Sequence, residues 1–444
     1  MQKELHQALG RLSVAGLDSD TRFCLPLSLI EKEMGDRLFK LARDLGWLNL
    51  VDREAATADE PVYAFFHPTF QEYFASLAID DWHFFLNHVL HNPDEGIYRI
   101  FEPQWKEVIL LWFGNNNKNR DKFIELLTDF NDRCGFENFY GYRAYFLAGC
   151  AISEFTTYER ADEIVERLFK IGFSNIREEL HYCVEDAARE VFEKTDRLKA
   201  INLLTKLIFE EKEHKITLGN QSFRLRENAD NTHEAARILT KLDPGNKLAE
   251  DLLENVISFY TAMEVSWGMD RQNALYCAHS LVYGLPSKGE PIKVKLEIKN
   301  ESLNVIKNLD RLTKSDYNEY TFKQMLKSSK YKKFKSSKEF IAKSLVNLLC
   351  NSEDDTGCWQ AASKFTKMIQ YEMFPLVVGG LRNCLYRKTD KDDVDRYFHS
   401  YGVIWHCAQN MSYPEFYSAW HSQPFTRLEL HKSSIDTETA DVRQ

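Results

Sequence analysis

Residues that break helices are scarce: 11 prolines and 19 glycines are spread over 444 positions. So few breakers exclude a turn-rich β architecture and favour helices joined by short connections. Long apolar runs are also missing. Stretches such as Val108–Phe113 are far too short to cross a bilayer, so no membrane association is expected. Gln2, Lys3 and Glu4 open a polar, amphipathic stretch and not an apolar leader. The nine cysteines (24, 134, 150, 183, 277, 350, 358, 384 and 407) contain no CxxC pair and are odd in number. That pattern suits free thiols in a reducing cytoplasm better than a disulfide or zinc framework. Excess positive charge is lacking too, since a formal charge of −10 argues against non-specific nucleic-acid binding by the whole chain. What is present is 44% hydrophobic and 13% aromatic residues. At 444 residues the chain is long enough for two or three domains, or one domain with a repeat array.

Residues 1–80 read as a small helical module ending in two strands. Ser28 and Glu31 have capping-box spacing, Asp36 can cap a helix carrying Leu38, Leu41, Ala42 and Leu45, and Gly46 ends it. Leu48–Val51 and Val62–Phe66 then alternate as strands around a polar turn, Asp52–Glu60. Helices followed by such a wing suggest a partial winged helix, truncated at its N-terminus. Thr69 and Glu72 again have capping-box spacing, so a helix should follow and bury Phe70, Phe74, Leu77 and Ala78. Residues 81–155 form a strongly helical connector, with Pro103 in the first turn of a helix carrying Trp105, Val108, Ile109 and Trp112.

Residues 156–285 contain a repeat. Ala187-Ala188-Arg189 recurs as Ala235-Ala236-Arg237, and at the same 48-residue shift Val191 meets Leu239, Lys199 meets Lys247, Ala200 meets Leu248 and Leu204 meets Leu252. Each copy is two amphipathic helices around a polar turn, Thr195-Asp196 or Asp243–Asn246. This length fits the HEAT and armadillo class of stacked helix pairs. A Lys-rich segment (286–345), a C-terminal helical domain (346–421) and a polar, disordered tail (422–444) complete the division. The predicted fold class is all-α, a partial winged helix followed by a HEAT-like α-solenoid.

Few residues invite chemistry. His67, at the strand-to-helix junction, is either an ordinary capping histidine or a ligand contact. His83, His88 and His91 lie near Asp80, Asp81 and Asp94, but their spacing matches no zinc motif, and only His88 and His91 share a helical face. No metal is expected. His406 and Cys407 are adjacent on a helix and point about 100° apart, so they cannot act as a nucleophile pair. Lys327, Lys330, Lys332, Lys333, Lys335 and Lys338 crowd around Tyr331 and Phe334, where lysines would neutralise phosphates and the rings would stack on bases. A solvated loop explains the same lysine run. Gly284-Leu285-Pro286-Ser287-Lys288-Gly289 is the nearest approach to a phosphate-binding loop, but Glu290-Pro291 follow where Lys and Ser or Thr are required.

The run Val62–Ala75, with His67-Pro68-Thr69-Phe70-Gln71-Glu72-Tyr73-Phe74 at its centre, resembles the end of the winged-helix domain in NACHT-family STAND ATPases, the bacterial relatives of NOD-like receptors. Leu45–Val51, Tyr98–Trp105 and Val403–Met411 are similar to the bacterial version as well. The resemblance implies a switch. A NACHT ATPase domain holds ADP or ATP with Mg, the winged helix closes over it, and the histidine matched by His67 contacts the nucleotide. Repeats beyond it sense a protein ligand, in a setting of defence against phage. This chain lacks the P-loop that such hydrolysis needs, so it is expected not to be an enzyme and to hold no cofactor itself. Its ATPase domain would be missing or encoded separately. The reading from another class is a free-standing HEAT-like adaptor that binds a protein or RNA partner.

Overall fold

A computed structural model of the chain describes residues 1–51, 60–115, 117–135, 137–173, 182–211, 213–218, 221–226, 229–267, 292–293, 342–343, 346, 349–350, 369–385 and 391–422. The chain is mostly helical, as its few breakers imply. It divides into two compact units: Met1–Ile164 with Phe374–Arg382 and Ile404–Gln444, and Val165–Met373 with Asn383–Val403.

The first unit opens with α1 (Gln2–Leu17), β1 (Leu25–Pro26), α2 (Leu27–Asp44), β2 (Leu48–Leu50), β3 (Val62–Phe65) and α3 (Pro68–Ala78). Gly35 adopts φ 67°, ψ 161° inside α2, so the segment is two helices meeting at a kink that only glycine makes without strain. The strands form one antiparallel sheet in the order β1-β3-β2, with Leu48 opposite Phe65 and Leu25 opposite Tyr63. Leu5, Leu9 and Leu12 of α1, Ile30 and Leu38 of α2, Phe65 and Phe74 make one core. β2 and β3 are the two strands that the alternation predicts, whereas the two-residue β1 is too short to show alternation. The capping box expected of Ser28 and Glu31 does not form. Instead the Ser28 amide and hydroxyl both donate to the Glu60 carboxylate, at 2.9 and 3.0 Å.

The connector departs from the helical expectation. Residues 82–105 are short 3-10 turns and a two-stranded ribbon, β4 (Leu86–Asn87) against β5 (Ile97–Tyr98). Pro93, Gly96 and Pro103 interrupt any helix there, and buried Phe85, Tyr98, Phe101 and Trp105 anchor the turns instead. Pro103 begins a turn that runs directly into α4 (Lys106–Gly114); α5 (Arg120–Thr128) and α6 (Phe139–Ala151) follow. The same unit holds α12 (Phe374–Leu381) and α14 (Tyr413–His421), the latter closed by a capping box between Ser412 and Glu415.

In the second unit the 48-residue repeat is real at the level of packing. It comprises α8 (Tyr182–Phe192) with α9 (Arg197–Glu210), then α10 (Ala229–Leu242) with α11 (Lys247–Trp267). At that shift Val184 and Thr232, Ala188 and Ala236, Leu204 and Leu252, and Ile208 and Val256 are all buried. The Ala200–Leu248 pairing fails, because Ala249 takes the buried place in α11. Asp196 caps α9 by accepting from the Lys199 amide (3.1 Å), and Asn246 accepts from the Ala249 amide (3.3 Å). The repeated arginines stitch the pairs together. Arg189 donates to the Gly172 carbonyl and to Asn231 Oδ1, and Arg237 with Lys241 binds the Glu193 carboxylate. A hairpin that the periodicity did not announce, β6 (Glu213–Leu218) and β7 (Gln221–Arg226), separates the pairs, with β8 (Ile292–Lys293) parallel to β6. The remaining α-helices of the described chain are α7 (Ala161–Phe173) and α13 (Lys391–Asn410).

Candidate functional site

His67 is the N-cap of α3. Its extended backbone (φ −144°, ψ 143°) turns the chain from β3 into the helix, and Pro68 supplies the pre-set first turn. The Nδ1 atom accepts from the Thr69 amide at 3.2 Å and lies 2.7 Å from Thr69 Oγ1. The cap is therefore His67 and not Thr69. The ring is exposed, and its Nε2 has no hydrogen bond among the described residues. Glu72, one turn further on, is held above the usual carboxylate range, by burial first and then by Glu107, with His67 opposing.

The helix that His67 opens presents its apolar residues on two sides. Phe74 and Ala75 are buried towards α1, close enough that a Cβ on Gly10 would meet Ala78 Cβ at 2.8 Å. Gln71 is buried as well, its Nε2 donating to the Arg22 carbonyl at 3.0 Å. Phe70, Leu77 and Ala78, expected inside, lie outside. With Phe66 and Tyr73, Phe70 and Leu77 form a stripe at helical spacing, 74%, 37%, 44% and 44% exposed for Phe66, Phe70, Tyr73 and Leu77. Trp47 packs edge-on against Phe70 (5.2 Å) at the border of this stripe. Scattered apolar side chains on a surface are ordinary, but a contiguous aromatic row is not.

A second feature of the first unit joins segments far apart in sequence. Arg143 of α6 donates to the Phe101 carbonyl (2.8 Å) and to the Ala408 carbonyl, and its guanidinium stacks on Tyr140 (4.8 Å) and Phe101 (5.0 Å). Tyr140 Oη donates to the Met411 carbonyl (2.8 Å), and Tyr413 Oη donates to the Asp132 carbonyl (3.0 Å). Asp132 accepts from the amides of Cys134 (2.9 Å) and Tyr140 (2.8 Å). Burial still pushes its carboxyl up to about 6, against those amides. Beside this network lies a cleft of ≈ 620 Å³ lined by Asp18, Arg22, residues 96–99, 101–104 and 409–414. Arg99 is already paired with Asp18 at 3.1 Å. Glu102 accepts from Gln104 Nε2 at 2.7 Å, and burial raises its carboxyl. These groups can recognise a polar ligand; they contain no activated nucleophile.

Residues 393–421 match a family model described as NACHT C-terminal Cysteine and Histidine-containing. That stretch is similar to a NACHT-associated C-terminal region. It spans α13 and α14 and includes Val403–Met411, one of the runs whose resemblance to this family was legible in the sequence. No curated protein and no solved structure matches the chain. Within the matched stretch Cys407 and His406 serve packing. Cys407 is buried and its thiol pushed well up by burial, so it is no thiolate nucleophile. His406 packs edge-on to Phe374 at 5.8 Å, and burial lowers its pKa. His421 Nε2 lies 3.2 Å from the Arg133 carbonyl.

The other histidines do not converge. His83 pairs with Asp81 (2.7 Å), which caps the turn there; the His83 amide is the first cause holding the Asp81 carboxyl below its usual range. His88 meets the Tyr98 hydroxyl (3.1 Å), and the shared helical face expected of His88 and His91 is absent because no helix forms there. Among the described residues no three His, Cys, Asp or Glu side chains could hold a metal ion. No helix among them is long and apolar enough to cross a membrane. Lys327, Lys330, Tyr331, Lys332, Lys333, Phe334, Lys335 and Lys338, the Gly284–Gly289 run and the tail from 423 onward lie outside the described residues.

Proposed function

We propose that this chain is the regulatory and sensing region of a NACHT-type signal-transduction ATPase, acting on an ATPase domain and not hydrolysing nucleotide itself. The observation that carries the reading is the match of residues 393–421 to a NACHT-associated C-terminal family. The N-terminal elements support it. The order helix, strand, two helices broken at Gly35, strand, strand, with the sheet order β1-β3-β2, is consistent with a winged helix. On that reading α3 is the closing edge. The apolar stripe Phe66, Phe70, Tyr73 and Leu77 lies against the ATPase domain, and His67 reaches bound ADP with the nitrogen that its capping role leaves unused. The helix pairs α8–α9 and α10–α11 are HEAT-like and offer the ligand-sensing surface. Defence against phage is the setting the resemblance implies, and the cytoplasm its place.

The test is to co-express the full chain with a NACHT ATPase domain encoded next to it and to follow release of fluorescent ADP from the purified complex. Phe70→Glu should abolish co-purification, because it places a charge in the covered stripe. His67→Ala should leave assembly intact and speed ADP release by roughly 10-fold or more, the value of a hydrogen bond to a charged group. Association unaffected by Phe70→Glu, with ADP release unchanged in His67→Ala, would refute the lid.

A further inference from the structure

Two half-buried cysteines that are 34 positions apart in the chain meet in the second unit. The Cys350 and Cys384 Sγ atoms lie 3.2 Å apart, both as reduced thiols. Each follows or precedes a leucine that is almost wholly buried, Leu349 before Cys350 and Leu385 after Cys384, so the backbones carrying both sulfurs are anchored by packing. Closing from this separation to the S–S bond length of about 2.05 Å takes a sulfur shift of about 1.1 Å, within reach of χ1 adjustment. Cys134, Cys150 and Cys407 are buried, and Cys24 is exposed. Intermediate exposure gives Cys350 and Cys384 what the buried three lack, access for a small oxidant. Their proximity gives what the surface thiol needs to pass beyond a mixed disulfide, a resolving partner.

We propose that Cys350 and Cys384 form a reversible dithiol–disulfide modification site that takes a low-molecular-weight disulfide, such as oxidised glutathione, as oxidant. One thiolate attacks a glutathione sulfur, forming a mixed disulfide and expelling one glutathione thiolate. The second cysteine thiolate attacks the protein sulfur of that mixed disulfide and expels the other glutathione. Two protein thiols become one disulfide, one oxidised glutathione becomes two reduced ones, and the two protons pass to the released thiolates. The crosslink then pins the turn carrying Cys384 to the helical residues at 349–350.

The experiment equilibrates the full chain with oxidised glutathione, blocks remaining thiols with N-ethylmaleimide, and maps tryptic peptides by mass spectrometry. Because residues 344–364 form one tryptic peptide holding both Cys350 and Cys358, the mapping is done in wild type and in Cys358→Ser. The expected product is that peptide joined to peptide 383–387, about 2 Da lighter than the two thiol peptides together and released by dithiothreitol. In Cys384→Ser, Cys350 should instead carry glutathione. Recovery of Cys350 and Cys384 as separate adducts, at an oxidant level that glutathionylates Cys24, would overturn the proposal. So would Cys350 crosslinked to any other cysteine in the wild type.

Discussion

Asp132 offers the sharpest quantitative test of the first unit. Its side chain is fully buried, and its carboxyl is pushed up to about 6 from the ordinary aspartate value of 3.8. The cause is burial, which outweighs the two amides of Cys134 and Tyr140 that favour the ionised form. A carboxyl whose folded pKa lies above its unfolded value binds more protons in the native state. Its contribution is therefore fully present below pH 3.8 and is lost as pH rises through about 6. The full difference, 6 − 3.8 = 2.2 units, corresponds to about 3 kcal/mol at roughly 1.36 kcal/mol per unit. About 2 kcal/mol of it falls between about pH 4.5 and about pH 7. Asp132→Asn removes the ionisation, keeps one oxygen acceptor for the amides and leaves the other amide facing an NH₂ group, at a cost of about 1–3 kcal/mol. Urea unfolding of both proteins at the two pH values isolates the carboxyl, because every other titrating group cancels in the difference. The gap between wild type and Asp132→Asn should narrow by about 2 kcal/mol on going to neutral pH. A gap constant to within about 0.5 kcal/mol would refute the assignment of a buried, destabilising carboxylate.

Two further outcomes test the packing of α3. Phe74→Ala should cost about 3–5 kcal/mol in thermal or urea unfolding, whereas Phe70→Ala, on the exposed stripe, should cost less than about 1 kcal/mol. Equal losses would mean that the helix is rotated from the orientation described. Gly10→Val should destabilise the first unit by about 2 kcal/mol or more, since its Cβ would stand 2.8 Å from Ala78 Cβ and 3.1 Å from the Phe74 carbonyl. An unchanged unfolding midpoint on Gly10→Val would show that α1 and α3 are not in contact at that point.

The helix pairs of the second unit could be read directly because burial repeats with the helix. Ala188 and Ala236 face inward for the same reason, 48 residues apart. Residues 82–105 could not, since short turns leave no period and are held by aromatic anchors that look helical in a linear pattern. For α3 the pattern was ambiguous in itself. Apolar residues line both sides of that helix, so periodicity could not choose between a buried Phe70 and a buried Phe74.

His67 illustrates the division between sequence and tertiary structure. Local chemistry alone placed it at a strand-to-helix junction, because a histidine before Pro68 ends an extended strand and a proline opens a helix. The runs that resemble a NACHT protein, and the helical character of the whole, were likewise determined by residue order. Which side of α3 stays open, how Arg143 brings Phe101 to Ala408, and that Cys350 meets Cys384 were decided only by the folded chain. Such contacts depend on which surfaces close-pack across 34 to 265 positions of sequence, and no local propensity encodes that distance.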